Sequence, residues 1–236
     1  MVELNNIRHT YGNKEILHDL RLRIESNQLT CLLGGSGSGK TTILRLIAGL
    51  EIPETGTITI DDVLVTKKKK IFVPPHQRNI GFIFQDLALW PHFSVYKNIA
   101  FSLIEKKAID IESTVFNMLN FFDLAEQSEK YPHQLSGGQK QLVAIARSLV
   151  LTPKILLMDE PLTNLDVKLK RKILGYIKNL KQHFNLTIIY VTHDHREAFA
   201  IADKIIVLND GNIEASGTVS QIKKSENKFV KYFLEY

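Results

Sequence analysis

The sequence predicts an α/β fold built around a mainly parallel sheet. Short apolar, β-branched runs at 29–33, 155–158 and 187–192 have the length and composition of buried strands. Segments with helical spacing separate these runs, and such alternation is typical of parallel sheets. Two further features are added to this sheet. Residues 2–33 alternate between apolar and polar positions, as antiparallel strands do, and about fifty residues with a helical pattern follow position 93.

The N-terminal part is expected to contain mostly strands. Its alternating pattern runs on both sides of a predicted turn, Tyr11–Lys14. A helix is predicted over 42–49, and 57–61 alternates as a further strand. Four consecutive lysines, Lys67–Lys70, are interpreted as a solvated loop, with an anionic partner as the alternative.

The middle of the chain changes from strand to helix. Residues 79–85 form an apolar run that ends on the polar side chain of Gln85. The helical pattern beyond Trp90–Phe93 shows no sustained heptad repeat, so an inserted lobe of separate helices is predicted rather than a coiled coil. The predicted helices of this lobe are 95–104, 111–122 and 137–151.

The C-terminal part returns to alternating strands and helices. Its first strand, 155–158, delivers Asp159 and Glu160 at its carboxyl end. The elements predicted beyond it are a helix over 166–184, a strand over 187–192, a hairpin within 205–213 and helical residues over 218–236.

Composition indicates an ordinary globular chain of 236 residues, of which 44% are hydrophobic and 23% are charged. A formal charge of +5 allows a nucleic acid or an anionic membrane as partner, but a solvated surface with a phosphate site is the favoured explanation. The single cysteine, Cys31, excludes an internal disulfide framework and fits a reducing cytosol. Neither a signal peptide nor an apolar run of about 18 residues is found, so we expect neither export nor membrane insertion.

A glycine-rich stretch supplies the first candidate site. It has the pattern GxxxxGK[ST] and lies between a predicted buried strand and a predicted helix. Glycines let the backbone curl around phosphate oxygens, the lysine reaches the terminal phosphates, and the hydroxyl can hold Mg²⁺. A flexible linker would lack the flanking strand and helix, so a nucleoside triphosphate site is predicted. The residues are Gly34, Gly35, Ser36, Gly37, Ser38, Gly39, Lys40, Thr41 and Thr42.

Other predicted strand and helix ends carry residues suited to the same chemistry. Leu135–Gln139 opens a helix with a serine N-cap and two glycines, which leaves backbone amides open to an anion. Asp159 is suited to bind Mg²⁺ through water, and Glu160 to orient or deprotonate an attacking water. Gln85 and His193 end two further strands, where an amide can meet a ligand and a histidine can touch a terminal phosphate.

Tyr11 is a further candidate because the predicted turn places it on a loop. An exposed aromatic ring can serve as a platform for a purine. Packing of the ring beside the turn is an equal alternative.

Taken together, these motifs resemble those of the ATP-binding cassette family over essentially the whole chain. The sequence LSGGQ, at the correct order and distance from both Walker motifs, makes the resemblance highly specific. The matching segments are Gly34–Thr42 (Walker A), Gln85 (Q-loop), Leu135–Gln139 (signature), Ile155–Glu160 (Walker B), Leu165–Asp166 (end of the D-loop), His193 (switch histidine) and Tyr11 (adenine-stacking aromatic).

The resemblance implies an α/β fold with a RecA-like P-loop NTPase core, an antiparallel β subdomain and an inserted α-helical subdomain. Residues 1–85 and 152–236 would form the core with its β subdomain, and 86–151 the helical subdomain that carries the signature. Many family members carry a regulatory β-domain after the cassette. The chain ends where that domain would begin, so none is expected.

The resemblance also implies ATP hydrolysis with Mg²⁺ by a head-to-tail dimer. ATP would lie between Gly34–Thr42 of one copy and Ser136–Gly138 of the other. The implied catalytic residues are Glu160, which polarises water, His193, which contacts the γ-phosphate, Gln85 and Lys40. The implied nucleotide contacts are Tyr11, residues 34–42, Ser136, Gly137, Gly138, Gln139 and Asp166, and the implied Mg²⁺ ligands are Thr41, Gln85 and Asp159.

Two stretches, 74–81 and 89–99, resemble the import cassettes that serve ferric iron, polyamines, sulfate, molybdate or sugars. The implied partners are a membrane permease, contacted by Leu87–Phe93, and indirectly a periplasmic or extracellular solute-binding protein. The implied location is peripheral, on the cytoplasmic face of the inner membrane. Ferric iron or a polyamine is the preferred solute. Two departures, Gly35 in place of a frequent proline and His195 in place of a frequent glutamine, remove no ligand group.

Three other classes of protein carry related motifs. An exporter cassette stays open, because the same core serves both directions. A cassette ATPase acting on DNA or ribosomes would need a coiled coil between Gln85 and Ser136 or a second cassette, so no nucleic-acid partner is expected. A GTPase or kinase that shares only the phosphate loop would carry an [NT]KxD motif or a substrate lid, and it would leave LSGGQ unexplained.

Overall fold

The computed structural model describes residues 1–163 and 165–235. Within this part of the chain the strands form two sheets, one antiparallel and one mainly parallel. The strands are β1 Val2–Tyr11, β2 Lys14–Ile24, β3 Leu29–Leu33, β4 Thr55–Ile60, β5 Val63–Lys67, β6 Lys70–Ile71, β7 Ile80–Ile83, β8 Ile155–Asp159, β9 Thr187–Thr192, β10 Lys204–Asn209 and β11 Asn212–Gly217.

Helices connect these strands, and the segment between β7 and β8 holds three of them in succession. Single 3₁₀ turns lie at Pro75–Gln77, Ala125–Gln127 and Pro132–Gln134. The helices are α1 Lys40–Ala48, α2 Val95–Glu105, α3 Ile111–Phe121, α4 Gly137–Leu149, α5 Val167–Phe184, α6 His195–Ile201, α7 Val219–Lys223 and α8 Lys228–Glu235.

The parallel sheet has the order β11-β10-β3-β9-β8-β7, and only its edge pair β10–β11 is antiparallel within the described residues. Every residue of β3, β8 and β9 is buried. Strands covered on both faces tolerate polar side chains poorly, which explains the continuous apolar runs in the sequence.

Each face of the parallel sheet packs into a separate hydrophobic cluster. Alternate residues of β3 show this division, because Leu29, Cys31 and Leu33 join the cluster that contains α2 to α6. Leu32 points the other way, into the cluster formed with α1 and the antiparallel sheet. The sheet therefore has α2 to α6 on one side, and α1 with the antiparallel sheet, of order β2-β1-β4-β5-β6, on the other.

The structure differs from the sequence prediction at several element ends. Tyr11 is the last residue of β1 rather than part of a loop, and Gln85 follows β7 by two residues, in a turn. The four side chains of Lys67–Lys70 are exposed, as predicted, but Lys67 ends β5 and Lys70 begins β6, so the segment is the tip of a hairpin rather than a separate loop. The predicted helix over 218–236 is divided into α7 and α8, and position 236 lies outside the described residues.

Candidate active site

Three adjacent strands bring the main predicted residues to one edge of the parallel sheet. Leu33 at the end of β3 pairs with Thr192 at the end of β9, and Asp159 at the end of β8 pairs with Val191. The next residue along each chain segment is therefore delivered to the same crevice, as open parallel sheets deliver ligand-binding residues in general. These next residues are Gly34, His193 and Glu160.

Close packing and backbone conformation explain two glycines of the loop between β3 and α1. A Cβ atom at Gly34 would lie 2.2 Å from the carbonyl oxygen of Leu208. Gly39 has φ +96°, and a Cβ there would lie 2.8 Å from the Leu17 side chain. Gly39 is also the N-cap of α1 and caps it with no side chain. The first amides of α1 consequently stay open to an anion.

Lys40 is folded onto this loop. The residue is 4% exposed, and its Nζ donates to the carbonyl oxygens of Gly34 at 2.9 Å and Gly35 at 2.6 Å. Burial lowers the pKa of Lys40, while the carboxylates of Asp159 and Glu160 act in the opposite direction. A cation held among carbonyl oxygens beside open amides is well placed to move onto phosphate oxygens when a nucleotide enters.

Thr41 and Asp159 form the candidate metal position. Thr41 Oγ1 donates to Asp159 Oδ1 at 2.8 Å. Asp159 is 5% exposed, and its pKa is raised, first by burial, although the Thr41 hydroxyl works against that shift. Gln85 lines the same cavity as Thr41. Hydroxyl, carboxylate and amide oxygens are hard ligands, so this donor set fits Mg²⁺ held jointly with phosphates.

Glu160 and His193 face each other across the mouth of the site. Glu160 Oε2 lies 2.9 Å from His193 Nδ1, and the Glu160 backbone has φ +43°. The Glu160 N–H donates to the Val191 carbonyl at 3.1 Å, and the Thr163 hydroxyl donates to the Glu160 carbonyl at 3.0 Å. These two bonds fix the Glu160 backbone at the end of β8, and the contact with His193 holds its carboxylate there.

Two cavities meet at this edge of the sheet. The first, of about 690 Å³, is lined by Gly35, Ser36, Glu160 and the turn from His193 to Arg196, together with Phe233 on α8. The second, of about 390 Å³, is lined by Tyr11, Ile16, residues 36–42, Gln85 and Glu160. The structure therefore brings together the predicted phosphate, metal and catalytic residues and Tyr11.

Two residues outside the motifs position Tyr11: Glu51, which is distant in the sequence, and His9, which is close to it. Its hydroxyl donates to Glu51, and its ring packs edge-on against His9 with centroids 5.0 Å apart. Burial is the first cause of the raised pKa of Tyr11, yet 45% of the residue remains exposed. The exposed part of the ring lies at the cavity that Lys40 and Thr41 also line, which is compatible with stacking on a base.

The other predicted nucleotide contacts lie elsewhere. Ser136 and Gln139 cap α4 reciprocally, with Gln139 N donating to Ser136 Oγ at 3.3 Å and Ser136 N to Gln139 Oε1 at 2.9 Å. A Cβ at Gly138 would lie 2.5 Å from Leu169 of α5. Among the described residues that line the two cavities, none belongs to 136–139, and Asp166 is also absent. One chain therefore presents these residues on a different surface from Lys40.

Two buried charged residues that hold helices carrying parts of the site, Arg78 and Glu197, could not be identified from the sequence. Arg78 donates to carbonyl oxygens at the end of α1, and Glu197 accepts hydrogen bonds from α5 and β9. The only hint is a charged residue at a helical position next to apolar ones, as in Glu197–Ala198–Phe199. His195, which stands in place of a frequent glutamine, is half-buried and lines the larger cavity.

Comparison with known proteins supports the same interpretation. A family model described as "ABC transporter" matches residues 17–163. The Fe(3+) ions import ATP-binding protein FbpC of Vibrio cholerae is 43% identical over 236 residues, covering 99% of this chain and 66% of that protein. The spermidine/putrescine import ATP-binding protein PotA of the same species is 41% identical over 237 residues, covering 99% and 62%.

A third relative is the sulfate/thiosulfate import ATP-binding protein CysA of Pectobacterium atrosepticum. It is 41% identical over 242 residues, and the match covers 99% of this chain and 71% of that protein. The chain thus spans 62% to 71% of the length of these three relatives. Within the described residues, no helix combines the length and the apolar character that crossing a membrane requires.

A solved structure shares the fold. The ATP-binding cassette MJ0796, a dimer in a post-hydrolysis state bound to ADP and Pi, superposes with a TM-score of 0.80 at 31% identity, covering 93% of this chain and 99% of that one. This likeness confirms the predicted α/β fold with its RecA-like core. Because the family model also matches more than half of the sequence, the chain belongs to the ABC transporter family.

Proposed function

We propose that the chain is an ATP-hydrolysing subunit that powers solute import through a partner permease. The observation that carries the proposal is the 2.9 Å contact between Glu160 and His193 beside the loop that holds Lys40. A carboxylate fixed next to a phosphate-binding loop can orient and deprotonate a water, and a histidine beside it can contact the transferred phosphoryl group.

ATP binding and hydrolysis would use different residues of this chain. Lys40 and the open amides of α1 bind the β- and γ-phosphates, and the exposed ring of Tyr11 stacks on the base. Thr41, Gln85 and Asp159 would hold Mg²⁺, which would supply positive charge to the phosphate oxygens. Glu160 then accepts a proton from the attacking water.

A second copy would complete the site. The first turn of α4 has open backbone amides behind its Ser136 cap, as an anion site requires, yet residues 136–139 line neither cavity of their own chain. A head-to-tail dimer would place this turn, with Asp166, against the nucleotide of the partner. MJ0796 was solved as a dimer, which supports this assembly. The division into a core (1–85 and 152–236) and a helical subdomain (86–151) belongs to the same proposal.

The relatives support import across the cytoplasmic membrane, with the chain bound peripherally to its permease. Their names specify ferric ions, spermidine or putrescine, and sulfate or thiosulfate. We propose ferric iron or a polyamine as the solute, delivered by a solute-binding protein. Copurification of a permease with the chain, followed by ATPase assays in proteoliposomes with each solute, tests this part.

The hydrolytic role is tested by Glu160→Gln. The variant keeps the shape of the side chain but loses the base, so ATP binding should persist, turnover should fall by about 1,000-fold, and closed dimer should accumulate on size exclusion with ATP. Glu112→Gln, an exposed position on α3, serves as the matched control.

Two results would contradict the proposal. Undiminished hydrolysis by Glu160→Gln would remove Glu160 as the base. Hydrolysis by the unmodified chain that rises strictly linearly with protein concentration through the dimerisation range would contradict a site shared between two copies.

A further inference from the structure

A buried carboxylate connects the turn that carries His193 to helix α5. Glu197 lies in the first turn of α6 and is 5% exposed. Its Oε1 accepts a hydrogen bond from Lys170 Nζ at 2.7 Å, and its Oε2 accepts from the hydroxyls of Tyr190 and Thr192 at 2.8 Å each. Both carboxylate oxygens are therefore engaged, and the charge is balanced by a lysine from another element.

The same cluster closes the turn around His193. Thr192 Oγ1 donates to Glu197 and accepts from the backbone N–H of Asp194 at 3.0 Å, so it bridges the residues on either side of His193. Asp194 in turn caps α6 by accepting from the N–H of Arg196 at 2.8 Å. The position of the His193 imidazole thus depends on the Thr192 hydroxyl, and Glu197 holds that hydroxyl in place.

The other end of the ion pair lies one turn into α5. The Lys170 N–H donates to the Asp166 carbonyl at 2.9 Å, and Asp166 caps the helix by accepting from Leu169 N at 3.0 Å. The segment that leads into this cap starts at Glu160, whose carboxylate meets His193. Among the described residues, these two segments meet in the site through Glu160 and His193, and outside it through Lys170, whose Nζ lies 2.7 Å from Glu197 Oε1 and 3.9 Å from Asp194 Oδ2.

We propose that the Lys170–Glu197 pair positions His193 against Glu160. Lys170 is the ionic partner of Glu197 among the residues that the structure describes, and removing it would leave a buried charge unpaired, which is strongly unfavourable. The pair therefore fixes the distance between the start of α5 and the start of α6. Because Glu160 precedes α5 and His193 precedes α6, the pair also fixes the positions of Glu160 and His193 relative to each other. Lys170 and Glu197 are positioning residues, since neither lines the two cavities.

The inference rests on the proposed ATP hydrolysis and predicts a particular split in kinetics. Lys170→Met should lower kcat by roughly ten- to a hundredfold, because a displacement of about 1 Å at a catalytic pair has an effect of this order. The KM for ATP should stay within about twofold of its original value, since the phosphate loop does not contact the pair. Lys170→Arg, which keeps the charge and the reach, should restore most of the rate.

Helix α5 itself offers the matched control. Lys181, in the last turn of α5, forms a comparable ion pair with Asp203, with Nζ 2.6 Å from Oδ2, and both lysine side chains are 24% exposed. The Asp203 side chain is 38% exposed whereas that of Glu197 is 6% exposed, so Lys181→Met should lower the stability of the fold less than Lys170→Met does, and it should leave kcat unchanged. Equal kcat values for Lys170→Met and Lys181→Met, at a temperature where both are folded, would overturn the inference.

A second measurement does not depend on catalysis. With labelled histidine and the His193 signals assigned by their loss in His193→Ala, NMR of the nucleotide-free chain should show shifted His193 imidazole signals in Lys170→Met but not in Lys181→Met. Unchanged signals in Lys170→Met would refute positioning even if its kcat fell. If the unmodified chain does not hydrolyse ATP, the proposed function fails, and this NMR comparison still decides on the positioning.

A milder variant covers the case in which Lys170→Met does not fold. Thr192→Val removes only the hydroxyl that bridges Glu197 and Asp194, and it keeps the volume of the side chain. It should shift the His193 signals and lower kcat in the same way. Unchanged His193 signals and kcat in folded Thr192→Val would overturn the inference.

Discussion

Arg78 offers the sharpest test of how the phosphate-binding helix is held. The residue is 4% exposed and forms no ion pair among the described residues. Its guanidinium donates to the carbonyl oxygens of Leu46 at 3.1 Å, Ile47 at 2.7 Å and Val73 at 2.9 Å, and to the Thr66 hydroxyl at 2.7 Å. A cation at the carboxyl end of α1 also meets the negative end of the helix dipole.

The expected cost of Arg78→Met follows from these contacts. Each hydrogen bond from a charged donor contributes about 1.5–3 kcal/mol. Burial opposes this gain, because removing the guanidinium from water disfavours its charged form and lowers the pKa of Arg78 to about 10. Methionine fills part of the space but leaves the carbonyl oxygens unpaired, so we expect the free energy of unfolding to fall by about 3–5 kcal/mol.

Urea unfolding followed by circular dichroism measures this change. Arg78→Lys, which keeps the charge with fewer donors, should give an intermediate loss. Arg23→Met is the control, because the Arg23 side chain is 60% exposed and its removal should change stability by less than about 0.5 kcal/mol. A loss below about 1 kcal/mol for Arg78→Met would refute the argument that this guanidinium anchors the end of α1.

Two further predictions concern the site itself. Gly34→Ala should abolish ATP binding, measured by calorimetry, because its Cβ would lie 2.2 Å from the Leu208 carbonyl oxygen, whereas Gly35→Ala, with no heavy atom within 4 Å of its Cβ, should bind normally. Equal binding by both would contradict the close approach. Burial raises the pKa of Asp159, so the Asp159 carboxyl binds its proton more tightly in the folded nucleotide-free chain than in the unfolded chain. The contribution of Asp159 to the stability of the fold therefore falls as the pH rises from 3.8 through the raised pKa. Asp159→Asn should remove that dependence and stabilise the nucleotide-free chain at neutral pH in urea titrations across pH, and an unchanged pH profile would count against it.

The parts of the site whose signals are local could be predicted from the sequence. The loop from Gly34 to Thr42 carries its own flanking strand and helix, and Asp159 and Glu160 follow their apolar strand directly. Parallel strands deliver their next residues to one edge, so the meeting of these groups with His193 follows from the order of strands and motifs along the chain. Their roles in catalysis remain predictions that the variants above will test.

Contacts between distant segments could not be predicted in this way. Nothing near Tyr11 in the sequence indicates that Glu51 accepts a hydrogen bond from the Tyr11 hydroxyl, because forty residues separate Tyr11 from Glu51. Similarly, the sequence offers no reason to distinguish Arg78 and Glu197 from solvated charges, since the acceptors and donors around them come from other elements.

The sequence by itself determined most of the strands and helices and the phosphate loop, because residue periodicity, glycines and caps act over a few neighbouring residues. Strands β5 and β6 and helix α6 were not predicted. Only the tertiary structure decided which buried charges are paired and which surface each motif occupies. It placed residues 136–139 beside α5 rather than beside Lys40, and it joined Lys170 to Glu197. The physical reason is that such contacts depend on how packed elements meet in space, which no local pattern encodes.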